Sequence, residues 1–153
     1  MEPTLPADAE ERILGVAFLD LAGFGRWAAT HSDRRVAGLL QGVYELAAER
    51  LGGSGGHVVK VIGDAMLVVF EPGRTPEIVE TLHGLATDLG IAARVHGFET
   101  RLDARVHLGP VVAGSFGPPG LERFDVLGRT VNDAALLQGE GIVLSPLVET
   151  RLG

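Results

Sequence analysis

The sequence predicts a single α+β domain built around an antiparallel sheet, and three observations lead to it. Two apolar runs, HVVKVI and AMLVVF, flank Gly63-Asp64, the two-residue signature of a tight hairpin. Two long segments, one running to Arg50 and one starting at Thr75, repeat apolar residues at helical spacing. Between Leu102 and Leu108 apolar residues alternate with Arg, Asp and His, as in a strand with one covered face. At 153 residues the chain can bury one sizeable core and is short for two.

Taken in order, residues 1–11 are Pro- and acid-rich, lack the basic-then-apolar order of a secretory signal, and read as a flexible lead-in; residues 12–153 form the domain. RILGVAFLD is a nearly continuous apolar run that stops at Asp20, as a buried strand does at a functional edge. The Gly-punctuated segment LAGFGRWAATHSD follows, and then Val36, Leu39, Leu40, Val43, Leu46 and Ala47 mark a long amphipathic helix. GGSGG around Ser54 breaks that helix, and the hairpin puts Asp64 in its turn. Thr75-Pro76 reads as a cap with proline at the first helical position, and the apolar stripe continues to about Ala93. Gly109-Pro110 is expected to turn the Leu102–Leu108 strand back, so that VVAGSF forms a separate strand. A loop GPPGLER, a short extended FDVLG, a helix RTVNDAALL, a strand GIVLS and a final SPLVETRL turn complete the chain. The order β, α, α, β, β, α, β, β, α, β is compatible with a ferredoxin-like core plus additions.

Composition narrows the function. No apolar run approaches the roughly 20 residues of a spanning helix, which points to no membrane partner and a cytoplasmic setting. The absence of cysteine excludes disulfides, thiolate nucleophiles and Cys-ligated zinc, leaving carboxylates and 5 histidines as metal ligands. A formal charge of −7 argues against nucleic acid as partner, and a polyanionic ligand would need a cation to escort it.

Several side chains could carry chemistry. Asp20 at a strand end and Asp64 in a turn both neighbour glycines that let a ligand approach the backbone, and together they could hold hard cations. Singly, each also has an ordinary structural role open to it. Lys60 interrupts VVKVI on the strand face of Val58 and Ile62, either snorkelling from an edge or meeting a specific partner. Asn132, in the first turn of RTVNDAALL, could cap the backbone or reach a ligand. The histidines have no ligand spacing and belong to surface or packing, and Phe24 and Trp27 fit a core around the first helices. No phosphate-binding P-loop, nucleophile elbow or zinc pattern occurs.

VAFLDLAGFGRWA, GGHVVKVIGDAMLVVF and FDVLGRTVNDAALL resemble, in order and spacing, the three signature blocks of class III adenylate and guanylate cyclases. The resemblance runs from about Ile13 to Leu144 and implies a ferredoxin-like βααββαβ core of the class III nucleotide cyclase type. It implies that Asp20 and Asp64, helped by the Leu21 carbonyl, hold two ions of Mg²⁺ or Mn²⁺. Lys60 and Asp125 stand where the base-selecting pair sits; a lysine donates to adenine N1 and an acid accepts from the 6-amino group, so ATP is expected over GTP. Asn132 would orient the ribose as the catalytic asparagine, and Gly23 and Phe24 join the substrate-binding set. The resemblance also implies a homodimer, the metal acids of one copy facing the base-reading pair and asparagine of the other.

Two departures qualify this expectation. The family's transition-state arginine, one turn beyond the asparagine, is here Leu136, and Arg129, about 10 Å away along the axis, is too far to replace it. The sequence also stops soon after IVLSPLVETRLG, without the Lys-bearing final hairpin, which implies a weaker triphosphate grip. The expected outcome is a slow adenylate cyclase or an ATP-binding module that has lost turnover. A ferredoxin-like RNA-binding domain would need exposed sheet aromatics and a basic face, and IGDAM stands where a diguanylate cyclase would carry its GGDEF turn.

Overall fold

A computed structural model describes residues 2–153. The chain runs β1 (Glu10–Leu21), α1 (Phe24–Ala29), α2 (Asp33–Gly53), β2 (His57–Ile62), β3 (Ala65–Phe70), α3 (Thr75–Val95), β4 (Leu102–Phe116), β5 (Arg123–Leu127), α4 (Arg129–Ala135), β6 (Ile142–Leu144) and α5 (Pro146–Leu152). The strands form one sheet in the order β2-β3-β1-β4-β5, antiparallel throughout, with β6 added parallel to β4 at Ala104–Val106. This is the α+β architecture expected.

The period-2 strands sort their side chains onto two faces. On one, Leu19, Val68 and Val106 pack beneath Val43 and Leu51 of α2, Leu82 and Leu85 of α3 and Val148 of α5, all buried. On the other, a smaller cluster of Leu14, Val16, Leu67, Val69, Val111 and Val126 lies under Ala134 of α4. Large apolar side chains of this kind contribute about 2–3 kcal/mol each when removed from water, so the α2–α3 face dominates stability. Among the described residues no helix is long and apolar enough to cross a membrane.

Four local expectations change. Gly109-Pro110 does not turn the chain: β4 continues through it for 15 residues, paired with β1 along its length. Its other flank is taken by β6 at residues 104–106 and by β5 from Val112 onward. Pro110 occupies the gap between them, where no ladder bond needs its missing N–H. Thr75 is not the cap of α3 but its first residue, buried, its hydroxyl donating to Pro72 O at 2.6 Å across a preceding 3₁₀ turn. SPLVETRL is the helix α5, capped by Ser145, whose hydroxyl accepts from Val148 N–H. Finally, Glu10 and Glu11 of the expected lead-in belong to β1, and Asp8 is tied to Ser115.

A further difference concerns Lys60. The β2–β3 register slips between Val58, opposite Val68, and Lys60, opposite Leu67. The extra residue is a β-bulge, which re-aims whatever follows it. Lys60 therefore shares a face with Ile62, as expected, but not with Val58, and it points to the side of the smaller cluster.

Candidate active site

Asp20 and Asp64 meet at one end of the sheet. The last β1–β3 pair is Leu19–Met66, and just beyond it the Asp64 carboxylate replaces a backbone acceptor, taking the Leu21 N–H at 3.0 Å. Gly63 makes the hairpin turn with φ +58°, a left-handed conformation that glycine adopts at no steric cost. The turn is pinned from α2, where the hydroxyl of Tyr44, the chain's only tyrosine, donates to the Gly63 carbonyl. Burial, and then the Asp64 charge, push the Tyr44 hydroxyl above the usual phenol range and keep it a donor. The two acids open onto a cleft of about 720 Å³, which Leu21, Gly23, Phe24 and Asp103 also line. Phe24 does two things, packing against the main core while forming part of the cleft wall.

The cleft is electrostatically loaded. Asp20 pairs directly across the ladder with Asp103, an arrangement of like charges that needs cations nearby. Arg105 supplies one, donating through Nη2 to Asp20 Oδ2 at 3.1 Å and through Nη1 to the Ala135 carbonyl at the end of α4. Arg101 supplies another, holding both oxygens of Asp103, which also accepts from Gly141 N–H at 2.7 Å.

Burial raises the Asp20 carboxyl above the ordinary aspartate range; Arg105 pulls it down, and Asp64 and Asp103 push it further up. Asp103 lies below that range, chiefly through its bond from Arg101. The signs are opposite. Ionised Asp20 disfavours the folded state above its unfolded pKa, a cost relieved as pH falls through its raised folded value. Asp103 stabilises the fold above its unfolded pKa, a contribution lost as pH falls through its depressed folded value. In a ¹³C-carboxyl NMR titration Asp20 should therefore take its proton at higher pH than a free aspartate and Asp103 at lower pH. The reverse order would contradict this charge arrangement.

Among the described residues no group of three or more His, Asp or Glu side chains gathers to hold a metal. Asp103 is committed to Arg101 and Gly141, leaving Asp20 and Asp64 as the available carboxylate donors, with the Leu21 carbonyl on the same cleft. That donor set fits Mg²⁺ or Mn²⁺ of the kind held by one or two carboxylates plus substrate phosphates.

The other expected site residues lie elsewhere. Although β2 and β5 are at opposite edges of the sheet order, the sheet curls enough for Lys60 Nζ to donate to Asp125 Oδ2 at 3.0 Å, and for the rings of His57 and Phe124 to meet edge-on at 5.6 Å. Asp125 Oδ1 is steadied by the Val126 N–H at 2.8 Å. Asn132 is exposed at the fourth position of α4, with its own N–H bonded to Gly128 O, so it does not cap the helix. Leu136 N–H bonds back to Asn132 O at 3.2 Å, and the leucine side chain stands 70% exposed one turn along. None of Lys60, Asp125 and Asn132 lines the cleft of Asp20 and Asp64.

Residues 7–147 match the family described as the adenylate and guanylate cyclase catalytic domain. A germination-specific adenylate cyclase of Dictyostelium discoideum is 32% identical over 136 residues, covering 83% of this chain and 16% of the longer relative. Human atrial natriuretic peptide receptor 2 is 31% identical over 150 residues, covering 92% of this chain and 14% of the receptor. The chain thus spans only a small part of these relatives' length. Among solved structures, the adenylyl cyclase CyaB of P. aeruginosa superposes with a TM-score of 0.84 at 20% identity, covering 95% of this chain and 82% of that one. The guanylate cyclase domain of RhGC from Catenaria anguillulae, solved with GTP, superposes with a TM-score of 0.79 at 23% identity, covering 94% and 84%.

Proposed function

Because the chain belongs to the adenylate and guanylate cyclase catalytic domain family, we propose that it binds ATP with two ions of Mg²⁺ or Mn²⁺ between two copies of itself and cyclises it slowly to cyclic AMP and pyrophosphate. The observation that carries this proposal is that two groups of polar side chains stand apart from each other in one chain. Asp20 and Asp64 converge on one cleft; Lys60 and Asp125 are joined outside it. A head-to-tail pair of copies would bring each half to its complement, forming two equivalent sites.

In each site Asp20 and Asp64 of one copy hold the escorting cations, and Lys60, Asp125 and Asn132 of the other hold the nucleoside. Lys60 donates to adenine N1 and Asp125 accepts from the 6-amino group. Guanine presents the opposite polarity at both points. Asn132 is exposed on α4 and, among the described residues, its side chain has no hydrogen-bond partner, which leaves it free to hold the ribose. When bound, the divalent ions polarise the α-phosphate and lower the pKa of the 3′-hydroxyl. The 3′-oxygen then bonds to the α-phosphorus, the bond to the pyrophosphate oxygen breaks, and the hydroxyl proton passes to solvent. Leu136 contributes no charge to this step, which favours a second reading: an ATP-binding module of the cytoplasm that signals by occupancy without turnover.

Cyclic AMP formation from Mn²⁺ and ATP, measured beside ATP binding, separates the two. Product supports the first, binding without product leaves the second, and neither binding nor product overturns both. Base selection has its own test. ATP should bind in the presence of Mn²⁺ at least about tenfold more tightly than GTP, and Lys60→Gln or Asp125→Asn should each remove most of that preference by mispairing one polar contact. Equal affinity of the unaltered chain for both nucleotides would contradict the base-reading role.

A further inference from the structure

The β1–β4 ladder ends where Glu10 pairs with Ala113, and continued outward by two residues it would set residue 8 opposite Ser115. There a side chain takes over from the backbone. Asp8 Oδ1 accepts from the Ser115 N–H at 3.0 Å, and Oδ2 accepts from the Ser115 hydroxyl at 2.6 Å. These bonds hold the exposed Asp8 carboxyl below the ordinary aspartate range. Ala9, turned by its own N–H to Pro6 O at 3.0 Å, comes close against Gly114. A Cβ at position 114 would stand 2.9 Å from Ala9 Cα, so the contact requires glycine.

The anchored residues sit directly across the ladder from the base-reading end of β5. Gly114 pairs with Asp125 and Ser115 with Phe124. Those two β5 residues are the ones that reach β2, Asp125 through Lys60 and Phe124 through His57. β5 is only five residues long and lies at the end of the sheet order, so the placement of its carboxylate depends on the β4 end that carries it.

We propose that Asp8 is a positioning residue for base recognition: by closing the β1–β4 ladder at Ser115 it holds the β4–β5 pair where Asp125 meets Lys60. The proposal rests on the base-reading role given above to Lys60 and Asp125. Asp8 itself lies outside both halves of the nucleotide site and acts through Ser115, Gly114 and Asp125.

The test is calorimetric binding of ATP and of GTP, each with Mn²⁺, to the unaltered chain and to Asp8→Ala, Ser115→Ala and Asp8→Asn. Asp8→Ala and Ser115→Ala should each lower the ATP-over-GTP ratio about fivefold, the equivalent of one ordinary hydrogen bond, mainly by weakening ATP. Asp8→Asn, which keeps an acceptor for the Ser115 N–H, should retain most of the ratio. In an Asp125→Asn background Asp8→Ala should change the ratio no further, whereas a general loosening of the fold would weaken both nucleotides in either background. An unchanged ratio in Asp8→Ala and Ser115→Ala, or an equal fall without Asp125, overturns the positioning role while leaving the base-reading role in place. Equal binding of ATP and GTP by the unaltered chain brings down the base-reading role itself, and the positioning role with it.

Discussion

Asp64→Asn should lower metal-dependent cyclic AMP formation on the order of a thousandfold and leave the fold intact, provided that Mn²⁺ and ATP are held as proposed. The amide is the informative replacement because of what Asp64 does structurally. Its Oδ2 accepts the Leu21 N–H at 3.0 Å, and an alanine would strand that donor at a cost of about 1–3 kcal/mol, confounding lost chemistry with lost stability. An amide oxygen can still accept from Leu21 but brings no charge to a cation. Asp103 cannot compensate, since both of its oxygens are taken by Arg101 and one also by Gly141 N–H. The predicted pattern is therefore a melting temperature within a few degrees of the unaltered chain, with Mn²⁺-dependent turnover gone; the size follows from removing a metal that stabilises charge in the transition state. Turnover that survives Asp64→Asn would contradict the metal assignment.

Leu136→Arg should raise turnover about a hundredfold while changing ATP affinity by no more than about threefold, because a group that meets charge only as it develops in the transition state acts on the rate and not on ground-state binding. The position accepts the change readily. Leu136 is 70% exposed, so little packing is lost, and it lies at the C-terminal end of α4, where a cation is favoured by the helix dipole. Its backbone bond to Asn132 keeps the two side chains one turn apart on a common face, so a guanidinium there would project beside the asparagine proposed to hold the ribose. Single-turnover measurement of cyclic AMP with saturating ATP and Mn²⁺ reads this directly. A variant no faster than the unaltered chain would mean that the missing arginine is not what limits the chemical step.

Much of this was visible in the sequence because it is written in local periodicity. The hairpin around Gly63-Asp64, the apolar stripes of α2 and α3, and the end of β1 one residue past Asp20 all depend on residues near one another in the chain. Other features depend on what lies across the sheet. Gly109-Pro110 has the composition of a turn, and only the partition of β4's outer flank between β6 and β5 explains why the strand runs straight through it. The bulge before Lys60 leaves no mark in VVKVI, yet it decides which face the lysine takes. The 3.0 Å contact between Lys60 and Asp125 spans 65 residues and requires the curl that brings the edges of the sheet together.

Arg105, Tyr44 and Asp8 follow the same division between local pattern and contacts across the fold. Arg105 could have been suspected, since the alternation of LDARVHL puts it on the polar face with Asp103, but its double role, reaching Asp20 and the end of α4, needs the packed structure. Tyr44 gave no such signal; within α2 it reads as one more amphipathic position, and its hold on the Gly63 carbonyl becomes apparent only with the helix against the turn. Asp8 looked like part of a loose acidic lead-in, yet it closes a ladder.

Calorimetric titration of ATP with and without Mn²⁺ decides whether Asp20 and Asp64 bring ATP to this chain through a divalent cation. Binding should appear with Mn²⁺, be lost on chelation, and be absent from Asp64→Asn. ATP that binds equally strongly without metal, or does not bind with it, would overturn the metal-holding role of Asp20 and Asp64.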